Sequence, residues 1–180
     1  MKHFLIGLGL GLACSLALAS KPDDSDALQK SVEQLRESIG LWDVVTENLA
    51  EDGSVANTMK GTYRFSWVVP DRVVSGRMDI PEKNQAAGIL FYVNERKALI
   101  EMVSVGADGN LWIMSGPLGG EVRTTPEFET RDGGTGQLRF TRFNVGEDRF
   151  ESRMEYSKDG GKTWTPGNHQ IFRRAQAAGS

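Results

Sequence analysis

The chain has 180 residues, with 21 lysines and arginines against 24 aspartates and glutamates, for a net charge of −3. No basic run is longer than Arg173–Arg174, which argues against nucleic acid as a partner, because phosphate binding needs a basic surface that displaces counterions. Cys14 is the single cysteine, so neither an internal disulfide nor a thiolate metal site is predicted.

The first segment reads as a secretory leader. Met1, Lys2 and His3 give a basic start, Phe4 to Leu12 is an apolar run broken only by glycines, and Ala17-Leu18-Ala19 is a small-x-small cleavage pattern. The apolar run is too short to span a bilayer, which takes about 20 residues. Residues 1–19 are therefore assigned to a signal peptide and the mature chain to a start at Ser20, which predicts a periplasmic or secreted protein. The alternative is a lipoprotein anchored through Cys14, since Ala13 is a suitable small residue before an acceptor cysteine although Gly11 stands where leucine is usual. Cleavage removes Lys2 and no acidic residue, taking the net charge from −3 to −4.

Residues 20–25 are small, polar and predicted to be loose. From Ser25 to Ile39, Leu28, Val32, Leu35 and Ile39 draw one apolar stripe, predicting a helix capped by Asp24 or Ser25. After Gly40 the period changes to two. Turn signals follow at Asp52-Gly53, Pro70-Asp71, Pro81 to Asn84, Asp108-Gly109, Asp132-Gly133 and Asp159-Gly160. They divide the chain into about ten strands: Trp42–Leu49, Val55–Val68, Val73–Ile80, Ala86–Val93, Ala98–Val105, Asn110–Ser115, Glu121–Glu129, Gln137–Val145, Phe150–Ser157 and Gln170–Arg174. Asp-Gly supplies the positive φ of tight hairpins, so neighbouring strands should pair antiparallel. One helix followed by a meander predicts an all-β, up-and-down barrel over residues 26–174, with a two-sheet sandwich as the rival and a loose tail at 175–180.

Gly40-Leu41-Trp42 opens the first strand and Arg173-Arg174 closes the last. This pairing resembles the calycin superfamily, in which a Gly-x-Trp places an indole across the closed end of a lipocalin-like barrel and a basic side chain from the last strand packs on it. Ser157-x-Asp159-x-Gly161-x-Thr163-Trp164 matches an Asp-box, a structural hairpin staple in which Asp159 accepts turn amides, Gly161 permits the reversal and Trp164 lies beneath. Sialidase propellers carry several such boxes, but this chain has one and is too short for the blades. The stretch Gly40 to Arg174, with Met154-Glu155-Tyr156-Ser157 leading into that turn and Ile171-Phe172-Arg173-Arg174 at the end, resembles an exported bacterial family known as domain of unknown function 1579. The resemblance implies a lipocalin-like barrel and no assigned activity.

Tyr63, Phe65 and Trp67 share one face of their strand, as do Trp112 and Met114. With Phe91, Met102 and Met154 they are the candidate lining of an apolar ligand site, while Arg123 is expected to be peripheral. The bland reading is a filled core. His169-x-x-Phe172-x-Arg174 is similar to the end of the nitrobindin family, which implies haem held by His169 if that side chain points inward; if Phe172 and Arg174 point inward, His169 faces out. No nucleophile elbow, zincin helix or metal-ligand spacing occurs, so no catalytic residue is assigned and the chain is read as a non-enzyme. Glu151, Arg153 and Glu155 read as a solvated strand face. The sequence thus predicts a barrel that binds a small apolar or amphipathic ligand without catalysis and without a cofactor. The alternatives are a haem-binding barrel using His169 and a ligand-free module that contacts other envelope proteins.

Overall fold

The structure, a computed structural model, describes residues 24–130 and 132–176. The expected leader at 1–19, Cys14, most of the loose N-terminal stretch and residues 177–180 of the tail lie outside them. Helix α1 spans Asp24–Ser38. It begins one residue earlier than the periodicity predicts, so Asp24 and Ser25 belong to its first turn rather than preceding it. Its buried face is also not the predicted stripe. Leu35 is fully buried, but its companions are Ser31, Gln34 and Ser38, whereas Leu28, Val32 and Ile39 are only half-buried. The reason is what α1 covers: Ser31 Oγ accepts the Gly119 amide at 2.7 Å and Gln34 Nε2 donates to the Gly120 carbonyl at 3.0 Å. Polar helix residues are buried because they satisfy backbone groups of the loop beneath.

The strands are β1 (Gly40–Leu49), β2 (Val55–Val69), β3 (Val73–Ile80), β4 (Gln85–Asn94), β5 (Leu99–Gly106), β6 (Leu111–Pro117), β7 (Val122–Thr124), β8 (Phe128–Glu129), β9 (Thr135–Phe143), β10 (Arg149–Ser157) and β11 (Thr165–Arg174). Consecutive strands from β1 to β7 pair antiparallel, β7 pairs with β9, β9 with β10, β10 with β11, and β11 returns to β1. The ring closes, leaving β8 as a short appendage on β9. This is the up-and-down, lipocalin-like barrel of ten strands with one helix that the sequence predicts. Closure removes the open edges that a two-sheet sandwich would retain.

Three departures have physical causes. The predicted strand Glu121–Glu129 is split into β7 and β8, because Pro126 between them has no amide to give a ladder. The last strand starts at Thr165 and runs through Pro166 and Gly167, made possible by a register shift between Met154 and Glu155 on β10. Between β4 and β5 the chain turns through a short 3-10 helix at Glu95–Lys97, with no Gly or Pro to announce it. There the Asn94 side chain accepts the Lys97 amide and Ala98 takes a left-handed conformation at φ 52°.

The core at one end of the barrel is Trp42, Val44, Tyr63, Phe150 and Phe172. Trp42 is wholly buried, donates its indole Nε1 to the Ser38 carbonyl at 2.7 Å and meets Phe150 edge-on at 4.9 Å. Gly40 is required beside it: its φ is +126°, and a Cβ there would lie 2.7 Å from Arg174 Nη1. Of the two terminal arginines only Arg174 packs on the indole; Arg173 is exposed on the outer wall, because successive residues of a strand face opposite ways. Ala175, expected to be loose, donates its amide to the Leu41 carbonyl at 2.9 Å.

Candidate functional site

Inside the barrel, between the α1 end and the strand centres, lies a cavity of about 190 Å³. Aromatic and aliphatic side chains make most of its wall: Phe65 from β2, Met78 from β3, Ile89 and Phe91 from β4, Met102 from β5, Phe140 from β9, Met154 from β10 and Phe172 from β11. Period two explains the set, since these residues occupy inward positions that pair across the ladders, as Phe91 with Met102 and Phe140 with Met154. The polar members are few: Ser38, Tyr63, Ser104, Arg123, Arg142 and Gln170. Gln170 Nε2 donates to the Tyr63 hydroxyl at 3.1 Å and to Thr46 Oγ1 at 3.0 Å. Burial pushes the Tyr63 phenol up, with the Gln170 contact opposing it.

Two arginines stand at the α1 end of this cavity and differ in their surroundings. Arg142 is paired: its Nη2 reaches Glu37 at 2.7 Å and its Nε reaches Glu121 at 2.9 Å. Arg123 is 1 % exposed and, among the described residues, forms no salt bridge. Its Nη2 donates to the neutral Gln34 Oε1 at 2.8 Å, and its guanidinium lies 4.8 Å from the Phe91 ring centre and 5.6 Å from that of Phe140. Its Nε is buried without a hydrogen-bond partner. Burial, and secondarily the charge of Arg142, pushes the Arg123 guanidinium down to about 10, with Glu121 opposing, so it stays protonated at neutral pH.

Of the eight residues singled out from the sequence, Tyr63, Phe65, Phe91, Met102 and Met154 line the cavity. Trp67, Trp112 and Met114 do not. Met114 is buried opposite Met102 on the β5–β6 ladder, and Trp112 packs edge-on against Phe128 at 4.9 Å. Arg123, expected at the periphery, is the most deeply buried charged side chain of the site. The reason for the miss is visible on β7, where Val122 faces solvent and Arg123 faces in, the inverse of the pattern that hydrophobicity suggests. The pairing of Arg123 with Phe140 across the ladder is a tertiary fact with no local signal.

His169 is on the outer wall. Phe172 and Gln170 on its strand line the cavity, and His169 alternates with them. Its ring stacks on Phe143 at 5.9 Å, with Nδ1 3.0 Å from Glu47 and Nε2 2.7 Å from Glu151. An inward haem ligand from His169 therefore does not fit this barrel. Glu151, expected to be solvated, is only 7 % exposed. Burial pushes its carboxyl up, but hydrogen bonds from His169, Asn144 and Arg149 outweigh this and hold it below its usual range.

At the β10–β11 turn, Asp159 accepts the amides of Lys162 and Thr163 at 3.0 and 2.9 Å and the Thr163 hydroxyl at 2.6 Å. Trp164 Nε1 donates to the Gly161 carbonyl at 3.0 Å, and Arg139 covers the indole at 4.2 Å.

A lipocalin-like barrel with an apolar interior and few inward polar groups is thus the class that fold and cavity define. No protein-family model and no curated protein matches the chain. Among solved structures it is similar to Rv2717c from M. tuberculosis, at 11 % identity and a TM-score of 0.51, covering 81 % of this chain and 98 % of that one. It is also similar to the S-type phycobiliprotein lyase CPES from Guillardia theta, at 11 % identity and a TM-score of 0.49, covering 87 % and 99 %. At 11 % identity the likeness to Rv2717c is one of fold.

Proposed function

We propose that the protein is an exported barrel that holds a small apolar or amphipathic molecule in its interior and performs no chemistry on it. The observation that carries this reading is the 190 Å³ cavity walled by Phe65, Ile89, Phe91, Met102 and Met154. Its volume exceeds the roughly 150 Å³ that accommodates a benzene in a protein core, and its aromatic and methionine wall adapts to an apolar guest. Export rests on the leader-like Met1 to Ala19, and kinship with the domain of unknown function 1579 on the residues quoted above.

The test is titration with an environment-sensitive apolar dye. Binding with a negative heat-capacity change is expected, because apolar surface is buried. Ala87 lines the cavity, so Ala87→Phe should fill it and abolish dye binding while the barrel still melts cooperatively. A folded wild-type protein that takes up no dye would remove this reading. A second reading would then stand, that of a ligand-free interaction module, favoured by the exposed Leu90, Val105, Leu111 and Ile113 on the outer faces of adjacent strands β4, β5 and β6.

A further inference from the structure

We infer that the molecule held in the barrel is a monocarboxylate whose carboxylate is taken by Arg123 beside α1. The inference rests on the proposal that the interior binds an amphipathic ligand, and it names the chemistry of that ligand's polar end.

A guanidinium withdrawn from water requires a counter-charge and acceptors for its N–H groups. Arg142 has both, in Glu37 and Glu121. Arg123, the more deeply buried of the two, has a neutral amide on Nη2, two aromatic faces and an Nε–H with no acceptor. Glu37 and Glu121 are held by Arg142, and their side chains remain about one-third exposed, at 36 % and 31 %. What Arg123 lacks is therefore one acceptor carrying negative charge, and its side chain borders a mostly apolar cavity whose other cation, Arg142, is already paired. A carboxylate supplies both, and charge-assisted hydrogen bonds to guanidinium are the strong ones. An alcohol supplies the acceptor alone. An ammonium supplies neither and meets two cations. The remaining wall, from Phe65, Ile89, Met102 and Met154, suits a hydrocarbon or aryl tail, and the volume limits that tail to a short one.

Isothermal titration of the protein with octanoate, octanol and octylammonium, together with the dye, tests the head group at constant tail. Octanoate should bind roughly tenfold to hundredfold more tightly than octanol, and octylammonium more weakly still. The Arg123 Nε–H resonance, assigned by its loss in Arg123→Met, should shift on adding octanoate and stay in place with octanol. Arg123→Met should keep dye and octanol binding and lose the preference for octanoate. Should that variant not fold, the wild-type ranking of octanoate, octanol and octylammonium still decides. Equal binding of octanoate and octanol, with the dye bound, would overturn the carboxylate inference and leave the cavity reading intact. Binding of neither dye nor any of the three amphiphiles would overturn both.

Discussion

The guanidinium of Arg174, at the end of the last strand, sits 4.4 Å from the ring centre of Trp42, at the start of the first, and donates from Nη1 to the Ile39 carbonyl at 2.9 Å. The two residues are paired across the β1–β11 ladder that closes the barrel, so the contact joins its first and last strands through one cation and one indole. The same guanidinium occupies the space that a side chain on residue 40 would need, which is why a glycine stands there.

Trp42→Ala should destabilise the fold by about 3–5 kcal/mol, the usual cost of truncating a large buried aromatic. Arg174→Met should cost about 1–3 kcal/mol, since it retains the apolar stem but removes the cation–π attraction and the hydrogen bond to the Ile39 carbonyl. Chemical denaturation of the two variants checks both numbers; the order of the effects should not reverse.

Asp159 has its carboxyl held well below the usual carboxylate range, chiefly by the Thr163 hydroxyl, then by the Thr163 amide and the Ser157 hydroxyl. A carboxyl with a depressed folded-state value contributes stability above its unfolded value of about 4, and that contribution is lost as pH falls through the folded value. The Trp164 indole N–H signal should therefore persist well below the pH at which ordinary carboxylates protonate, and Asp159→Asn should abolish this persistence. Trp164→Ala should loosen the β10–β11 hairpin locally, measured by hydrogen exchange, whereas Trp42→Ala should raise exchange throughout the barrel.

Glycine positions on β4 and β6 separate crowding from conformation. A Cβ at Gly116 would collide with the Val122 carbonyl oxygen, where β6 meets the short β7, whereas one at Gly88 would meet only Val105 at 3.7 Å. Gly116→Ala should cost about 1–3 kcal/mol or more, as overpacking does, and Gly88→Ala should be close to neutral. Thermal melts of the pair provide the comparison.

His169→Ala should leave dye affinity unchanged, because the ring lies on the outer wall, but should destabilise the fold by about 1 kcal/mol through the lost contact to Glu151, whose carboxylate keeps Arg149 and Asn144. Haem titration should give no Soret band that depends on His169. A band lost specifically in His169→Ala would contradict the outward placement.

Much of the architecture was legible in the residues themselves. Period-two alternation and the Asp-Gly turns report local backbone chemistry, and Gly53 and Gly109 take the positive φ expected of them, at 81° and 75°. The contact of a terminal arginine with Trp42 is expected from the resemblance of Gly40-Leu41-Trp42 and Arg173-Arg174 to the calycin pattern, and Arg174 makes it. That Phe65 shares a face with Tyr63 follows from alternation alone. The polar half of the site does not. Arg123 is inward and Val122 outward because β7 must pair with β9 in a register that places Arg123 opposite Phe140, and nothing local fixes that register. Whether His169 faced in or out waited on the same kind of information, the pairing of β11 with β1. The polar face of α1 likewise reflects the amides and carbonyls of residues 119 and 120, brought beneath it from far along the chain. Sequence by itself determined the helix, the turns and most of the strands, because those depend on neighbours in the chain; only the tertiary structure decided which charges are buried, because that depends on strand register between segments distant in sequence.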